Sequence, residues 1–583
     1  MRKTKIVCTI GPACDTQEKL EKLIEAGMNV TRLNMSHADH EYHRKTIKNI
    51  RYVSEALDVP VGILMDLQGP KIRIGTLKEK VILKPGEEYV LTARDVPGDS
   101  HEVNIPFKEL PSSVSKGQTL LIDDGLIELK AENVTGTDII TRVIRGGELK
   151  ERKGINLPNT SIKAKSITDK DVRDLLFGID EGVDMLAMSF VRSADDILDL
   201  RKIMEDNSAD IPIIAKIEKH EGVKNINSII DVVEGIMVAR GDLGIEIPME
   251  EVPLVQKMII SKCNAKGIPV ITATQMLDSM IRNPMPTRAE ATDVANAVFD
   301  GTDALMLSGE TAFGEYPLEA VKAMALIAKN TEDSDCYKQA IAAKTPKPSL
   351  SITDSVAFAT TESARYLKAQ AIITATQTGF TARKVSKYRP QLPILAVTTD
   401  QKVMRQLTLS WGVFPIKIGE EPDIDRLISD SIENCLKKGY LHTGDLVVIT
   451  AGILVGIPGS TNIMKIHVVA KELAKGLGIG KNIVKGTVVK AVKTEDFDKI
   501  KEGNILVIKE ADVDKIEKIR KAGAILTEEQ GLTSYSAIIG REVGIPVVVG
   551  VKNATSILND GMKVTVDTIR GIIYEGYIRL PSD

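Results

Sequence analysis

The sequence predicts an α/β protein: a (β/α)8 barrel with an inserted small β-barrel lid domain, followed by an open α/β domain and a C-terminal α/β module. Three observations predict this class. Eight short apolar runs carry many β-branched residues, helix-like segments follow most of them, and polar residues gather where the runs end. The chain has 583 residues, which is enough for roughly four domains of about 150 residues each.

Composition limits the partners that the chain can have. Its 43% hydrophobic and 27% charged residues are typical of a globular protein. Lysine and arginine number 76 against 80 acidic residues, so no overall basic field exists to hold a nucleic acid. Five scattered cysteines fit a reducing cytoplasm. The first apolar stretch breaks at Gly11-Pro12, and no run approaches the roughly 20 apolar residues of a spanning helix, so we expect a cytoplasmic protein without a membrane partner.

The eight apolar runs are the expected barrel strands. Helix-like segments at 16–26, 195–206, 252–266 and 318–330 alternate with them, as parallel strands require. An open doubly wound sheet would alternate in the same way, but the sequence lacks the G-x-G-x-x-G turn of a dinucleotide-binding fold. The expected strands are Lys5–Ile10, Val30–Met35, Val61–Leu67, Met185–Val191, Ile211–Glu218, Gly235–Ala239, Pro269–Thr274 and Ala304–Leu307.

Polar residues follow six of these strands at the end where a barrel carries its chemistry. The second strand ends in Arg32 to His37, the third in Asp66, the fifth in Lys216 to Glu218, the sixth in Arg240 to Asp242, the seventh in Thr272 to Gln275 and the eighth in Ser308 to Glu310.

The remaining chain divides at changes in pattern. Short alternating segments between the third and fourth strands predict a β domain, which we interpret as a lid with hinges near Gly69-Pro70 and Leu157-Pro158. A polar segment with Pro346 and Pro348 precedes a second βα series, and glycines mark a last boundary near 476–480. The predicted domains are 1–70 and 164–342 for the barrel, 71–163 for the lid, 343–474 for the open α/β domain and 475–583 for the C-terminal module.

The strand-end residues predict a phosphoryl-transfer site. Glu218 and Asp242 close neighbouring strands, and their hard oxygens suit Mg²⁺ or Mn²⁺. Arg32, Arg73 and Lys216 supply fixed cations for the charge of a transferring phosphoryl group. The alternative for each residue is a salt bridge at the barrel rim. This alternative is less favoured because six strands carry such residues at the same end of the barrel.

Gly241 and Thr274 are candidate carboxylate-binding residues. Gly241 lets the backbone approach a ligand and offer an amide hydrogen, and Thr274 adds a hydroxyl. The alternative for Thr274 is a strand-end hydroxyl bonded to its own backbone.

Six motifs resemble those of the pyruvate kinase family, in the family's order and over residues 1 to about 470. The resemblance implies transfer of the phosphoryl group of phosphoenolpyruvate to ADP, with pyruvate and ATP as products, and a homotetramer. The motifs are Thr31–His37, Met65–Arg73, Ala215–Glu218, Ala239–Gly244, Thr272–Leu277 and Met306–Ala312.

The resemblance also implies roles for individual residues. Glu218 and Asp242 would hold the divalent ion, and Lys216 and Arg32 would bind the phosphoryl group. Gly241 and Thr274 would bind the carboxylate, with Thr274 helping to protonate the enolate. The ultimate proton donor stays open. The positions implied around the nucleotide are Asn34, His37, Arg73 and Lys153, and Glu310 matches a carboxylate in the family's proton-relay network.

Lys71 departs from the pattern of the family members that require K⁺. Those members resemble one another in a Thr-Lys-Gly-Pro-Glu stretch and ligate K⁺ partly through equivalents of Asn34, Ser36 and Asp66. Here the stretch reads Leu67 to Lys71, with an ammonium where the glutamate stands. We therefore predict that K⁺ is unnecessary, since a tethered cation replaces the bound one. The alternative is a solvated hinge lysine.

Residues 374–381 in the open α/β domain resemble the family's effector-phosphate loop, in particular Thr376, Thr378, Gly379 and Thr381. The resemblance implies activation by a sugar phosphate or a nucleoside monophosphate. The alternative is an ordinary helix N-terminus with capping hydroxyls.

The tail resembles the phosphohistidine domain of phosphoenolpyruvate-utilising enzymes, through residues 526–537. Tyr535 stands where that family carries its acceptor histidine, so a structural or subunit-contact role is favoured over a catalytic one. Two other functions compete with the kinase. They are a pyruvate-phosphate dikinase or phosphoenolpyruvate synthase, suggested by the tail alone, and a catalytically dead barrel that serves as a sensor or scaffold.

Overall fold

The structure is a computed structural model that describes residues 1–158, 160, 165–420, 423–452, 461–578 and 580. The chain forms two compact units. The first consists mainly of Met1–Phe358 and Thr374–Lys417, and the second mainly of Ala359–Ile373 and the chain after Ile418. In the described part of the chain, no helix is both long enough and apolar enough to cross a membrane.

Eight parallel strands close into a barrel, which confirms the predicted fold class. The first strand pairs with the eighth, with Cys8 opposite Leu307, so the sheet has no free edge. In chain order the strands are Lys5–Thr9, Val30–Asn34, Gly62–Asp66, Met185–Met188, Ile213–Ile217, Gly235–Ala239, Val270–Ala273 and Ala304–Leu307.

Burial on both faces explains why these strands read as continuous apolar runs. One cluster fills the barrel interior and includes Val7, Leu64 and Met237. A second lies between the strands and the surrounding helices and includes Ile6, Ile63 and Ile236. Successive residues of one strand thus pack alternately into the first and the second cluster.

The fourth strand ends at Met188, three residues before the predicted end at Val191. Phe190 adopts a left-handed backbone with φ of 57°, which no strand can accommodate. Its N–H donates to Glu218 Oε2 at 2.8 Å. A contact made by another strand's end therefore terminates this strand.

The barrel helices begin with side-chain caps at several places. Thr168 and Thr287 each form a capping box with an acidic residue three positions later. The helices of this region are Gln17–Ala26, His40–Ala56, Asp169–Asp180, Ala194–Asp206, His220–Lys224, Ile226–Ile230, Arg240–Glu246, Val252–Lys266, Arg288–Asp300, Gly309–Ala312 and Pro317–Asp333, with 3-10 turns at Met249–Glu251 and Asp278–Ile281.

The inserted β region has a core of its own, centred on Tyr89, Leu91 and Leu129. A six-stranded sheet runs in the order Ile155–Asn156, Thr119–Ile122, Ile127–Val134, Asp138–Arg145, Glu88–Thr92, Glu102–Asn104. Val81–Leu83 pairs with Gly147–Leu149, and Leu110–Ser113 is a short helix.

A helix that the sequence did not predict, Asp335–Lys344, follows the barrel within the polar segment. The open α/β region then has five strands in the order Val413–Lys417, Ile394–Thr398, Ala371–Ala375, Leu446–Gly452, Thr461–Val468. Its helices are Ile352–Tyr366, Phe380–Ser386, Gln401–Gln406 and Ile424–Lys437, with a 3-10 turn at Leu407–Leu409.

Closed ion pairs hold the amino ends of two barrel strands. Both carboxylate oxygens of Asp303, which precedes the eighth strand, accept from the Arg389 guanidinium at 3.0 Å. Asp184, which precedes the fourth strand, pairs with Arg405 at 2.7 Å and with Arg51 at 2.9 Å. Both aspartates are buried.

The C-terminal module forms a mixed eight-stranded sheet. Its strands are Glu472–Lys475, Leu477–Ile479, Ile483–Lys490, Ile505–Ile508, Ala524–Thr527, Val547–Val549, Lys563–Asp567 and Ile572–Glu575. Its helices are Ile516–Ile519, Tyr535–Val543 and Ala554–Ile557, with 3-10 turns at Thr494–Lys499 and Val513–Lys515.

Candidate active site

The carboxyl ends of the second, third and fifth strands bring four predicted site residues into one ionic network. The Arg32 guanidinium contacts Asp66 at 2.7 Å. The Lys216 ammonium lies 3.2 Å from Asp66 and 3.0 Å from Glu218. Asp66 and Glu218 are each 1% exposed, so their charges interact far more strongly than at a solvated rim.

Ser189 is a central member of this network that the sequence analysis missed. It follows the fourth strand, accepts from the Lys216 ammonium at 2.7 Å and donates to the Leu67 carbonyl at 2.7 Å. Thr9, at the end of the first strand, accepts from Arg32 at 3.0 Å. The rule applied to the other six strand ends would have found both hydroxyls.

The charges in this network determine one another's protonation. Burial alone would lower the pKa of Lys216, but the carboxylates of Asp66 and Glu218 outweigh it and raise the pKa. Burial would raise the pKa of Asp66, but Lys216 and Arg32 outweigh that effect and lower it. Lys216 is therefore an ammonium and Asp66 a carboxylate at neutral pH.

Glu218 differs from Asp66 because it lacks a guanidinium partner among its described contacts. Burial raises its pKa, and the charge of Asp242 adds to this increase although Lys216 opposes it. Two carboxylates that repel each other in a buried place are stabilised by a cation between them. The fifth and sixth strands pair directly, with Ile217 opposite Val238, so their ends are adjacent.

These two carboxylates fit the donor set expected for Mg²⁺. Mg²⁺ binds proteins through one or two carboxylates and keeps its other positions for water and substrate oxygens. The described residues include no group of three or more His, Cys, Asp and Glu side chains arranged to hold a metal ion. A site of two carboxylates leaves the other positions of the ion to water and substrate oxygens.

The helix Arg240–Glu246 brings Gly241 to Thr274. The Gly241 N–H donates to the Thr274 hydroxyl at 2.7 Å, and that hydroxyl donates to the Ala273 carbonyl at 2.6 Å. The strand-end bond weighed as the alternative for Thr274 is thus present, together with the contact to Gly241. A carboxylate bound here would accept from the Gly241 N–H and the Thr274 hydroxyl, and the bond between these two groups would be lost.

Thr274 has a left-handed backbone with φ of 67°, which is strained for a β-branched residue. The Arg240 guanidinium holds this conformation by donating to the Thr274 carbonyl at 2.8 Å and the Ala273 carbonyl at 3.2 Å. Such strain costs about 1–3 kcal/mol and is typical of functional sites.

Lys71 contacts the candidate site at Asp242. Its ammonium contacts Asp242 Oδ1 at 3.0 Å. In the group predicted for a monovalent cation, the Asn34 side chain accepts from the Ser36 N–H at 3.1 Å and the Leu67 carbonyl accepts from Ser189. The structure thus places the Lys71 charge beside a predicted metal ligand.

The four predicted nucleotide residues lie on the barrel mouth and the lid. Burial, together with the charges of Arg73 and Arg32, lowers the pKa of His37, so these three side chains lie within electrostatic reach of one another. Arg73 donates to the Arg152 carbonyl at 3.0 Å, and Lys153 pairs with Asp123 at 2.7 Å within the lid. Asn34 ends the second strand.

Glu310 is a buried brace between the seventh and eighth strand ends. Its two oxygens accept from the Leu277 N–H at 3.1 Å and the Ser308 N–H at 2.7 Å. Burial raises its pKa, and these N–H groups partly oppose the increase. Its contacts hold the loops around Thr274 in place.

A cavity of about 530 Å³ opens at this mouth. Its size is in the range of small-molecule sites. Its lining includes Lys71, Gly241, Asp242 and Thr274 from the candidate site and Asp124 from the lid.

The loop at 374–381 leads into the helix Phe380–Ser386. Gly379 is the N-cap residue with φ of 76°, and no side chain caps the helix. The Thr378 carbonyl accepts from Arg383 at 3.0 Å, the Thr376 N–H donates to Val397 and the Thr381 hydroxyl lies 2.6 Å from that of Thr461. The alternative of capping hydroxyls is thus not seen, because none of these threonine side chains caps the helix.

In the C-terminal module Tyr535 begins a helix that Ser534 caps by accepting from the Ala537 N–H. Tyr535 is 64% exposed. Ser536 is buried and donates to Glu529 from both its N–H and its hydroxyl.

Comparisons with known proteins agree with this arrangement. The family model described as pyruvate kinase, barrel domain, matches residues 1–321, and the pyruvate kinase alpha/beta domain matches residues 354–467. The model of the mobile domain of PEP-utilising enzymes matches residues 500–571.

Three similar relatives are named pyruvate kinase. The protein of Bacillus licheniformis is 50% identical over 581 residues, that of Geobacillus stearothermophilus 48% over 581 and that of Staphylococcus aureus (strain USA300) 46% over 581. Each match covers 99% of both chains, the tail included. Since the barrel, the α/β region and the tail all match in one order, the chain belongs to the pyruvate kinase family.

Proposed function

We propose that the chain transfers the phosphoryl group of phosphoenolpyruvate to ADP at the mouth of the barrel, giving pyruvate and ATP. One observation supports this most: the Lys216 ammonium lies among Asp66, Glu218 and Ser189, next to the strand that precedes Gly241 and Asp242. A fixed cation at this position stabilises the charge of a phosphoryl group in transfer.

Arg32 and Lys216 bind the phosphoryl group in this mechanism. Asp66 orients both cations, because it contacts Arg32 and Lys216 at once. Lys216 also contacts Glu218. The Gly241 N–H and the Thr274 hydroxyl bind the substrate carboxylate. Thr274 then helps to protonate the enolate, while Glu310 holds the loop that carries Thr274.

Glu218 and Asp242 hold Mg²⁺ or Mn²⁺ in this proposal. When bound, the ion supplies positive charge to the enolate oxygen that loses its phosphorus. The two carboxylates suit it because the buried Glu218 is destabilised by Asp242 in the absence of a cation. Asn34, His37, Arg73 and Lys153 bind ADP, with the lid supplying Arg73 and Lys153.

The activity does not require K⁺ in this proposal, because Lys71 adds a fixed charge at the same mouth. The assay measures pyruvate formed from phosphoenolpyruvate and ADP with Mg²⁺, in buffers free of K⁺. A manyfold rise on adding K⁺ would overturn this part. Lys71→Glu creates K⁺ dependence if it is right.

The same assay tests the competing functions. A dikinase forms pyruvate from phosphoenolpyruvate only with AMP and diphosphate, and a dead barrel forms none. Because Tyr535 replaces the acceptor histidine, we assign the tail a structural or subunit-contact role. Radiolabelled phosphoenolpyruvate then leaves no label on the tail.

A phosphorylated effector binds the loop with Thr376, Thr378, Gly379 and Thr381 in this proposal. The loop leads into the helix Phe380–Ser386, and Gly379 gives it the left-handed turn. Titration with sugar phosphates and nucleoside monophosphates at low phosphoenolpyruvate identifies the effector as the one that raises the rate.

We also propose a cytoplasmic homotetramer with the predicted domains, 1–70 and 164–342, 71–163, 343–474 and 475–583. Size-exclusion chromatography with light scattering measures the subunit number.

A further inference from the structure

The ion pair between Lys71 and Asp242 joins the segment where the chain enters the lid to a candidate metal ligand. The ammonium lies 3.0 Å from Asp242 Oδ1, and both side chains are 24% exposed. A cation at hydrogen-bond distance uses the oxygen that a divalent ion would need.

Asp66, another carboxylate at the mouth, has cation partners without Lys71. Asp66 already contacts Arg32 at 2.7 Å and Lys216 at 3.2 Å, and the Ser189 hydroxyl lies 3.4 Å away. Its two oxygens are thus occupied by the barrel's own strand ends.

Three carboxylates of this network have three cations as their partners when Lys71 is in this position. The carboxylates of Asp66, Glu218 and Asp242 face the cations of Arg32, Lys216 and Lys71. A divalent ion that enters between Glu218 and Asp242 meets a neutral network rather than a net negative one. Its binding then requires the Lys71 ammonium to leave Asp242.

A second hydrogen bond joins the lid to the helix Arg240–Glu246, and its lid residue is uncharged. The returning lid residue Asn156 donates to Glu246 Oε1 at 3.1 Å, at the other end of the helix Arg240–Glu246. Lys219 approaches the same oxygen at 3.4 Å. This bond holds lid and helix together as the Lys71 pair does, without competing for Asp242.

We propose that Lys71 is an internal competitor of the divalent cation at Asp242, so that its ammonium lowers the affinity of the substrate-free enzyme for the metal. The inference rests on the proposed function only in taking Asp242 as a metal ligand. The ammonium becomes available to anionic substrate groups when the metal displaces it.

The test is the affinity of the full-length, substrate-free protein for Mn²⁺, measured by electron paramagnetic resonance in K⁺-free buffer. We expect Lys71→Met to bind Mn²⁺ about three- to tenfold more tightly than wild type, as removal of one partly solvated charge implies. Lys80→Met, which removes an exposed lid charge paired with Glu148, is the charge control and stays within twofold.

Asn156→Ala separates competition from loosening of the lid. It breaks the uncharged bond and leaves Mn²⁺ affinity within twofold of wild type in our proposal. Unchanged or weaker binding by Lys71→Met overturns the inference, as does equal tightening by Asn156→Ala. Lys71→Gln replaces the methionine variant if circular dichroism shows misfolding. Failure of the kinase assay is a separate result, because Mn²⁺ binding is measured without substrates.

Discussion

The two ends of the barrel hold buried carboxylates in different ways. At the amino ends, Asp303 has both oxygens on one guanidinium, and Asp184 has two guanidinium partners of its own. At the carboxyl ends, one ammonium, Lys216, is shared by Asp66 and Glu218. The number of ion pairs is therefore a poor guide to function, and the way in which partners are shared is a better one.

This difference has a physical reason. A closed pair leaves neither oxygen of the carboxylate without a guanidinium partner, so the charge is balanced within the pair. At the carboxyl ends, burial is the largest cause of the raised pKa of Glu218, and the charges of Asp242 and Asp66 add to it although the shared Lys216 opposes it. The rim salt bridges considered as an alternative do exist, but they form a network that can accept further charge.

The largest effect is expected from removing the shared cation. Lys216→Met should lower kcat by about 10³-fold or more, because a preorganised charge at the phosphoryl group is lost. The comparison is sharpened by Lys219→Met, which removes a lysine bonded to Glu246 instead and should lower kcat less than tenfold. Steady-state kinetics of both variants decide this, and equal losses would contradict it.

Removing a closed partner should affect stability instead. Arg389→Met leaves Asp303 buried and unpaired, which costs about 3–5 kcal/mol. Its readout is the free energy of unfolding from denaturant titration, followed by circular dichroism, because the single tryptophan, Trp411, lies against Arg389 and would report the substitution itself. Turnover of the folded enzyme should stay within twofold. A loss of kcat without a loss of stability would break the comparison.

A closed pair should also make stability depend on pH. Burial would raise the pKa of Asp354, but the Lys387 ammonium and the Ser349 N–H outweigh it and lower the pKa to about 2. This stabilisation, about 2 kcal/mol, is present above pH 3.8 and is lost as the pH falls towards 2.

Asp354→Asn should remove that acid dependence. The difference in melting temperature between wild type and variant is expected to be constant from pH 5 to 7 and to shrink below pH 4. Thermal denaturation over this pH range measures it. A difference that stays constant down to pH 2 would contradict the prediction, because it would mean that Lys387 does not lower the pKa of Asp354 in the folded protein.

The smallest effect is expected at Ser189. Ser189→Ala removes one hydrogen bond to the Lys216 ammonium and one to the Leu67 carbonyl, and should lower kcat about tenfold. Thr9→Val removes the corresponding hydroxyl from Arg32 and is the matched comparison. A change in KM alone for Ser189→Ala would place its role in binding rather than in turnover.

The barrel was predictable because its strands are buried on both faces and therefore read as apolar runs. The end of the fourth strand was not, since the left-handed Phe190 depends on a bond to Glu218 that local sequence does not reveal. The helix Asp335–Lys344 was missed because its polar surface resembles a linker, although Ser334 caps it.

The site was predictable residue by residue only where polar groups follow strands. Ser189 obeys that rule and could have been found. The pair of Lys71 and Asp242 could not, because its partners are 171 positions apart and belong to different domains of the prediction. Sequence indicated the charge of Lys71 but not its neighbour.

The helix Arg240–Glu246 meets the lid at both of its ends, through Asp242 and Glu246. An engineer who excised the inserted β region and joined its flanks would remove both of these contacts at once. The helix would keep its contacts within the barrel, from Arg240 and Gly241 to Thr274 and from Lys219 to Glu246, but Asp242 would lose its Lys71 partner. The insertion thus shapes the surroundings of the residue that we propose as a metal ligand.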